Sequence, residues 1–125
     1  MRERRSVRVI AMTKTQLQNI VNKMAKEFGV PPIKLVFTDK RGPGLACYTT
    51  FRYRVGGKIE PKNYPKNITI YTWSKIKDSP GQVAYEVGHE LAHHIQNIKK
   101  NSLVHNNTFY DLEEKVAMML SKLLR

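Results

Sequence analysis

The chain has 125 residues, of which 41% are hydrophobic and one is cysteine, and its formal net charge is +12. This length predicts one domain that can bury a core. The lone Cys47 excludes an internal disulfide framework and a cysteine-based zinc ribbon, and it indicates a reducing, cytoplasmic compartment. No apolar run of about 18 residues is present, so we predict no membrane span.

The positive charge belongs to the first part of the chain. Residues 1–77 hold 17 basic and four acidic residues, a net charge of +13, whereas residues 78–125 hold five basic and six acidic residues. Such asymmetry indicates attraction to a polyanion, most often nucleic acid. The alternatives are simple solubility or the lysine-rich surface of heat-adapted proteins. We divide the chain into a basic segment at 1–12 and a single domain at 13–125.

The first half of this domain predicts one helix followed by a small sheet. Apolar residues recur at three- and four-residue intervals over Lys14–Phe28, and Thr13 and Gln16 have the spacing of a capping box. Three strands follow, at Ile33–Phe37, 46–55 and Asn67–Trp73. Turn residues rather than helical crossovers join these strands, so we predict a mostly antiparallel sheet.

Two more helices complete the predicted α+β fold. Ser79 and Pro80 mark the start of the second helix, and its apolar stripe continues to about Ile98. The third helix begins near Asn107 or Thr108, and its acidic residues lie in the first turns, where the helix dipole favours them. The second helix contains the chemically informative part of the sequence.

All four histidines of the chain lie between residues 89 and 105. His89, Glu90 and His93 form the pattern H-E-x-x-H on the second helix. Positions four apart share one helix face, so both imidazoles can bind one ion, and neutral imidazole suits Zn²⁺. Glu90 is rotated by about 100° around the helix from His89, so its carboxylate would not bind the metal. It could still reach a water molecule bound to that metal and accept its proton. The alternative is a helix with surface histidines and no metal.

A catalytic zinc needs a third protein ligand and one open position. Gln96 and Lys99 stand where a metzincin has its glycine and its last histidine, so that class is excluded. His105, in the loop that enters the third helix, is the preferred third ligand. The alternatives are Glu113 and Glu114.

Other residues near the motif have less specific roles. His94 points about 100° away from His93, so we predict a packing or surface residue. Gly88 has no side chain and would allow a strand to approach closely. Tyr85 and Tyr110 are near enough in sequence to assist an oxyanion, although packing is the default for each.

The segments "HELAHH" and "HNNTFYDLEEKV" resemble the SprT-like zinc metallopeptidases, the group that includes Spartan. Those proteins carry H-E-x-x-H on a helix and an H-G-x-x-[FW] element that opens the next helix, and His105 and Phe109 keep that spacing. Asn106 replaces the glycine, and because Asn tolerates a left-handed backbone we expect the turn to survive. The order of elements over about Thr13 to Leu124 also resembles the family, which implies a zincin-like minimal domain.

This resemblance implies a zinc-dependent endopeptidase that acts on proteins associated with or crosslinked to DNA, as in DNA–protein crosslink repair. One Zn²⁺ per chain would be held by His89, His93 and His105, with Glu90 as general base. The implied partners are a protein or peptide substrate and DNA. The alternative from another class is a nucleic-acid-binding module whose zinc site is structural or vestigial.

Four basic residues are the candidate nucleic-acid contacts. Arg52 and Arg54 alternate with aromatic residues along the predicted second strand, an arrangement that suits phosphates and base stacking. Lys40 and Arg41 lie in the loop before that strand. Ordinary antiparallel alternation with a charged solvent face accounts for the strand pattern equally well.

Overall fold

A computed structural model describes residues 13–50, 54–55, 58–59, 66–100 and 102–124. The basic segment 1–12 and Arg52 lie outside the described residues. The helices are α1 (Lys14–Glu27), α2 (Trp73–Ile76), α3 (Pro80–Lys100) and α4 (Asn107–Leu123). The strands are β1 (Lys34–Phe37), β2 (Ala46–Thr50), β3 (Arg54–Val55), β4 (Lys58–Ile59) and β5 (Lys66–Ile70). The predicted α+β class is therefore confirmed.

Local signals in the sequence set the ends of the first helix. Gln16 N donates to Thr13 Oγ1 at 3.1 Å and Thr13 N donates to Gln16 Oε1 at 3.0 Å, which is the predicted capping box. Gly29 follows the helix with φ +71, a left-handed conformation that glycine adopts without steric cost. Helix α3 likewise begins at Pro80, as predicted.

The three-stranded sheet is mixed rather than mostly antiparallel. Its strand order is β1-β5-β2, with β1 parallel to β5 and β2 antiparallel to β5. The loop 38–45 carries the chain past the position that β5 later fills, so β1 and β2 flank β5 while running in opposite directions. A strand placed between two opposed neighbours must pair once in each sense.

One predicted strand ends earlier than its sequence pattern suggests, and another is described only in part. Of the predicted strand 46–55, the structure gives β2 up to Thr50 and strand β3, in which Arg54 pairs with Ile59 of β4, while residues 51–53 lie outside the described residues. Strand β5 stops at Ile70, and Trp73 begins the short helix α2 instead of ending a strand. The reason is Thr72, whose φ of +48 lies in the left-handed region and breaks the extended backbone.

The core lies between the sheet and the three long helices. Helix α3 packs against β2, β5 and α4, while α1 packs against β1 and α4. Buried apolar residues from every layer meet there, among them Leu17, Val21, Ile68, Ile70, Val87, Leu91, Val116 and Leu120. Within the described part of the chain, the helices are all too short or too polar to cross a membrane.

Gly88 lets the two site-bearing helices approach each other. A Cβ added at Gly88 would lie 3.2 Å from Ala117 Cα, which is tighter than ordinary van der Waals contact. The sequence had suggested that a strand approaches Gly88. The close neighbour in the structure is helix α4 instead. This contact holds α4 against the turn of α3 that carries His89.

Candidate metal centre

Helix α3 and the start of α4 bring the candidate ligands together. His89 and His93 lie one turn apart on α3, and His105 lies in the loop just before α4. Asn106 is the N-cap of α4, and its side-chain oxygen accepts from Phe109 N at 2.9 Å. The backbone of Asn106 is extended, with φ −121 and ψ −179, so the expected left-handed conformation is not found there. Asn106 instead begins α4 through its side chain, as an N-cap.

The three histidines are close enough to bind one metal ion. One nitrogen from each of His89, His93 and His105 lies within 4.8 Å of the other two. His93 Nε2 and His105 Nε2 are 2.9 Å apart. The structure therefore brings His105 close to the motif pair His89 and His93.

Hydrogen bonds select the ring nitrogens that face the centre. His89 Nδ1 contacts the Glu113 carboxylate, which only accepts, so Nδ1 carries the proton and Nε2 keeps its lone pair. Gln96 Nε2 donates to Val104 O at 2.7 Å, which turns Gln96 Oε1 toward His93 Nδ1 at 3.3 Å. His93 Nε2 is therefore also a lone-pair donor. This donor set fits a divalent cation.

Burial keeps His93 in the form that a metal requires. Burial lowers the pKa of His93 to about 4, so the ring is neutral at pH 7. Phe109, itself buried, stacks on the His93 ring with centroids 4.4 Å apart and on the His105 ring at 4.9 Å. Phe109, four positions after His105, therefore packs against two candidate ligands and orients both imidazole rings.

Glu90 lies beside the histidines with its two oxygens in different environments. Oε1 accepts from the backbone N–H of Tyr48 at 2.8 Å, and Oε2 lies 3.9 Å from His89 Nε2. Burial raises the pKa of Glu90, and the Tyr48 hydrogen bond opposes that shift. One oxygen is thus anchored to β2 while the other faces the candidate metal position, which is the placement a general base needs.

The structure also shows the surroundings of the remaining sequence candidates. His94 is fully buried, so of the two predicted roles, packing or surface, it has the first. Tyr85 and Tyr110 are 64% and 49% exposed, and the Tyr110 ring centroid is 6.1 Å from that of His105. Of the two tyrosines, Tyr110 therefore lies against a candidate ligand.

The structure brings no candidate nucleic-acid contact into the metal centre among the residues it describes. Lys40 and Arg41 are exposed in the loop between β1 and β2. Arg54 is placed by its backbone pairing in the β3–β4 hairpin. The combined basic face of Arg52 and Arg54 remains a prediction, since Arg52 is outside the described residues.

Sequence analysis did not predict the contacts that three residues make around the candidate site. Gln96 is three positions after His93 on one helix face, a local signal that could have indicated a partner for that ring. Glu113 was an alternative third ligand from the sequence, and in the structure its carboxylate contacts His89 Nδ1, a pairing that was not predicted. Tyr48 contacts Glu90 from 42 positions away, and the sequence contains no local signal for such a pairing.

Comparison with known proteins adds no relative to this description. The chain matches no protein-family model, and no significant match is found among the curated proteins or the solved structures. The SprT-like resemblance therefore stays a prediction, carried by the H-E-x-x-H pattern together with His105 and Phe109.

We expect Glu113→Ala to weaken Zn²⁺ binding by about 10- to 100-fold without unfolding the chain. Loss of the carboxylate removes the acceptor that holds the His89 ring and its tautomer, and outer partners of metal ligands have effects of this size. Competition against a chromogenic zinc chelator measures the change. Glu114→Ala, which removes an exposed neighbouring carboxylate, is the matched control; equal affinities for the two variants would contradict the assigned contact.

Proposed function

We propose that the chain is a zinc-dependent endopeptidase. The observation that carries the proposal is the convergence of His89, His93 and His105 beside the anchored carboxylate of Glu90. Imidazole nitrogens suit Zn²⁺, and three protein ligands leave the fourth position open, as catalytic zinc requires. The SprT-like resemblance supports the same assignment.

The residues around the centre divide the work of peptide hydrolysis. His89, His93 and His105 would hold a Zn²⁺, and that ion would supply the Lewis acidity for activating water and polarising the scissile carbonyl. Glu90 Oε2 accepts the proton of the attacking water and passes it to the leaving amine as the peptide C–N bond breaks. Meanwhile, the Tyr48 N–H keeps Oε1 engaged. Glu113 and Gln96 hold the imidazole tautomers of His89 and His93.

A closed structural zinc site is less well supported than a catalytic one. Structural zinc sites in proteins have four protein ligands, and Glu113 was the natural fourth candidate. In the structure the Glu113 carboxylate instead contacts His89 Nδ1, on the side of the ring away from Nε2. The metal-capable cluster within the described residues comprises the three histidines. Nucleic-acid binding without proteolysis would nevertheless favour the binding-module alternative.

The proposed substrates are proteins on DNA or crosslinked to it, in an intracellular compartment. The +13 charge of residues 1–77 supports attraction to DNA, while the near-neutral remainder of the chain carries the metal centre. Lys40 and Arg41, both exposed, are available for phosphate contacts. The SprT-like resemblance supplies the link between DNA and proteolysis.

We expect cleavage of a DNA-binding protein substrate to be faster when DNA is present than when it is absent. We also expect the logarithm of the DNA affinity to fall linearly with the logarithm of the salt concentration. Replacing Lys40 and Arg41 together with alanine should reduce the magnitude of that slope by about 2, since each phosphate contact adds about 0.9. Fluorescence anisotropy at several salt concentrations measures the slope. The matched control replaces Lys115 and Lys122, two exposed lysines of α4. Equal slopes for both variants would remove the loop from the DNA contact, and cleavage independent of DNA would remove the DNA role.

A further inference from the structure

Helix α3 presents a second polar face that the metal centre does not use. Glu90, His94 and Asn97 follow each other by four and three positions, so they share one face, rotated by about 100° from the face of His89 and His93. Both His94 and Asn97 are fully buried. Buried polar groups are costly unless they are hydrogen-bonded, so this face has a specific partner. That partner is Tyr48 of β2.

Tyr48 contacts all three residues of this face, from its backbone at one end to its phenol at the other. Its N–H donates to Glu90 Oε1 at 2.8 Å. Its hydroxyl oxygen lies 3.1 Å from His94 Nδ1 and 2.9 Å from the donating Asn97 Nδ2. One strand residue therefore spans about two turns of α3, beginning at the proposed general base.

The direction of each hydrogen bond in this group is determined by chemistry. His94 Nε2 is 2.8 Å from Pro31 O, and a carbonyl only accepts, so Nε2 carries the ring proton. His94 Nδ1 must then accept from the Tyr48 hydroxyl, whose oxygen in turn accepts from Asn97. The phenol is thus fixed as both donor and acceptor, and the ring cannot turn away without losing two buried contacts.

We infer that Tyr48 is the positioning residue for Glu90, and that His94 and Asn97 hold Tyr48 in place. Strand β2 is an outer strand of its sheet, bonded to β5 on one side and facing α3 on the other. The phenol fixes the distance between β2 and α3, and that distance places the Tyr48 N–H on Glu90 Oε1. Without the phenol contacts, the strand moves relative to the helix and the Glu90 carboxylate gains rotational freedom. The catalytic consequence rests on the proposed peptidase function.

Tyr48→Phe tests the inference, because it keeps the ring and the backbone N–H but removes the hydroxyl. We expect kcat to fall by about 10- to 100-fold with KM and zinc content unchanged, the range that follows when a catalytic group is slightly misplaced. In a Glu90→Gln background the same substitution should have little further effect, because no base remains to be positioned.

Gln18→Leu is the matched control for lost buried hydrogen bonds. Gln18 joins α1 to β1 by donating to Ile33 O at 2.9 Å and accepting from Leu35 N at 2.8 Å, on the other side of the sheet from β2. It should lower stability as much as Tyr48→Phe does while leaving kcat intact. If Tyr48 had only a structural role, Tyr48→Phe and Gln18→Leu would lower stability equally and both would leave kcat unchanged.

A second readout needs neither metal nor cleavage. Hydrogen exchange of the residue-48 amide in the metal-free protein should be about tenfold faster or more in Tyr48→Phe, and unchanged in Gln18→Leu; Glu90→Ala gives the rate without the acceptor. Should Tyr48→Phe fail to fold, Asn97→Leu keeps the Tyr48–His94 contact and should show the same effects at smaller size. If the residue-48 amide of Tyr48→Phe exchanges as slowly as in the wild type, the inference is wrong. It is also wrong if that amide exchanges faster but kcat of Tyr48→Phe is unchanged. A wild-type protein that cleaves nothing overturns the peptidase proposal, and the exchange data then decide the positioning separately.

Discussion

Replacing Glu90 with glutamine is expected to lower kcat for peptide cleavage by about 10²- to 10⁴-fold, the usual contribution of a positioned general base. The amide oxygen can still accept from the Tyr48 N–H, so the side chain keeps its anchor. It cannot take a proton from water or return one to the leaving amine. The ligand nitrogens of His89, His93 and His105 are untouched, so zinc content should remain about one ion per chain.

Steady-state kinetics on a protein substrate and metal analysis of the same preparation check both parts of this prediction. Glu114→Gln is the control, because it makes the same chemical change at an exposed carboxylate of α4. Cleavage by Glu90→Gln at the wild-type rate would eliminate the general-base role. A loss of zinc from that variant would instead assign Glu90 to the metal.

Replacing His105 with alanine is expected to lower zinc affinity by more than about 100-fold, since changes to outer partners alone lower it by 10- to 100-fold. His105 is the only one of the three imidazoles that does not lie on α3, and its Nε2 is 2.9 Å from His93 Nε2. Without it, two α3 nitrogens remain, fewer than any catalytic zinc site requires. Cleavage should be lost together with the metal.

Metal analysis of the purified wild type beside His105→Ala measures this effect, and thermal unfolding verifies that the variant folds. Tyr110→Ala is the matched control, because it removes an exposed ring that lies against His105 but offers no nitrogen. Full zinc occupancy in His105→Ala would overturn the three-histidine centre. If His105→Ala keeps its zinc and the metal is lost only when Glu113 is replaced as well, the third ligand is Glu113 and not His105.

The sequence predicts the long helices of this protein well because their signals are local. The Thr13–Gln16 capping box, the start of α3 at Pro80 and the start of α4 at Asn107 each depend on residues within one turn. Strand positions also follow from local composition. Strand pairing does not, because whether β5 enters between β1 and β2 depends on the path of the chain through space. The parallel pairing was missed for this reason.

The candidate metal centre was predictable to a similar extent. H-E-x-x-H places His89 and His93 on one face by helix geometry alone. The loop position of His105 made it the preferred third ligand, and the SprT-like resemblance, which the spacing of His105 to Phe109 carries, implies the same role. The N-cap role of Asn106 escaped prediction because glycine and asparagine can occupy the same turn by different means, one through its backbone and the other through its side chain.

By itself, the sequence determined which helix carries two of the candidate ligands, which carboxylate accompanies them and where the positive charge lies, since each depends on residue type and on spacings within a few turns. The tertiary structure alone decided what supports those groups. Tyr48 contacts Glu90 across 42 positions and Glu113 contacts His89 across 24. Such contacts arise only when packing brings distant segments together, because hydrogen bonds act over about 3 Å and have no fixed spacing in the sequence.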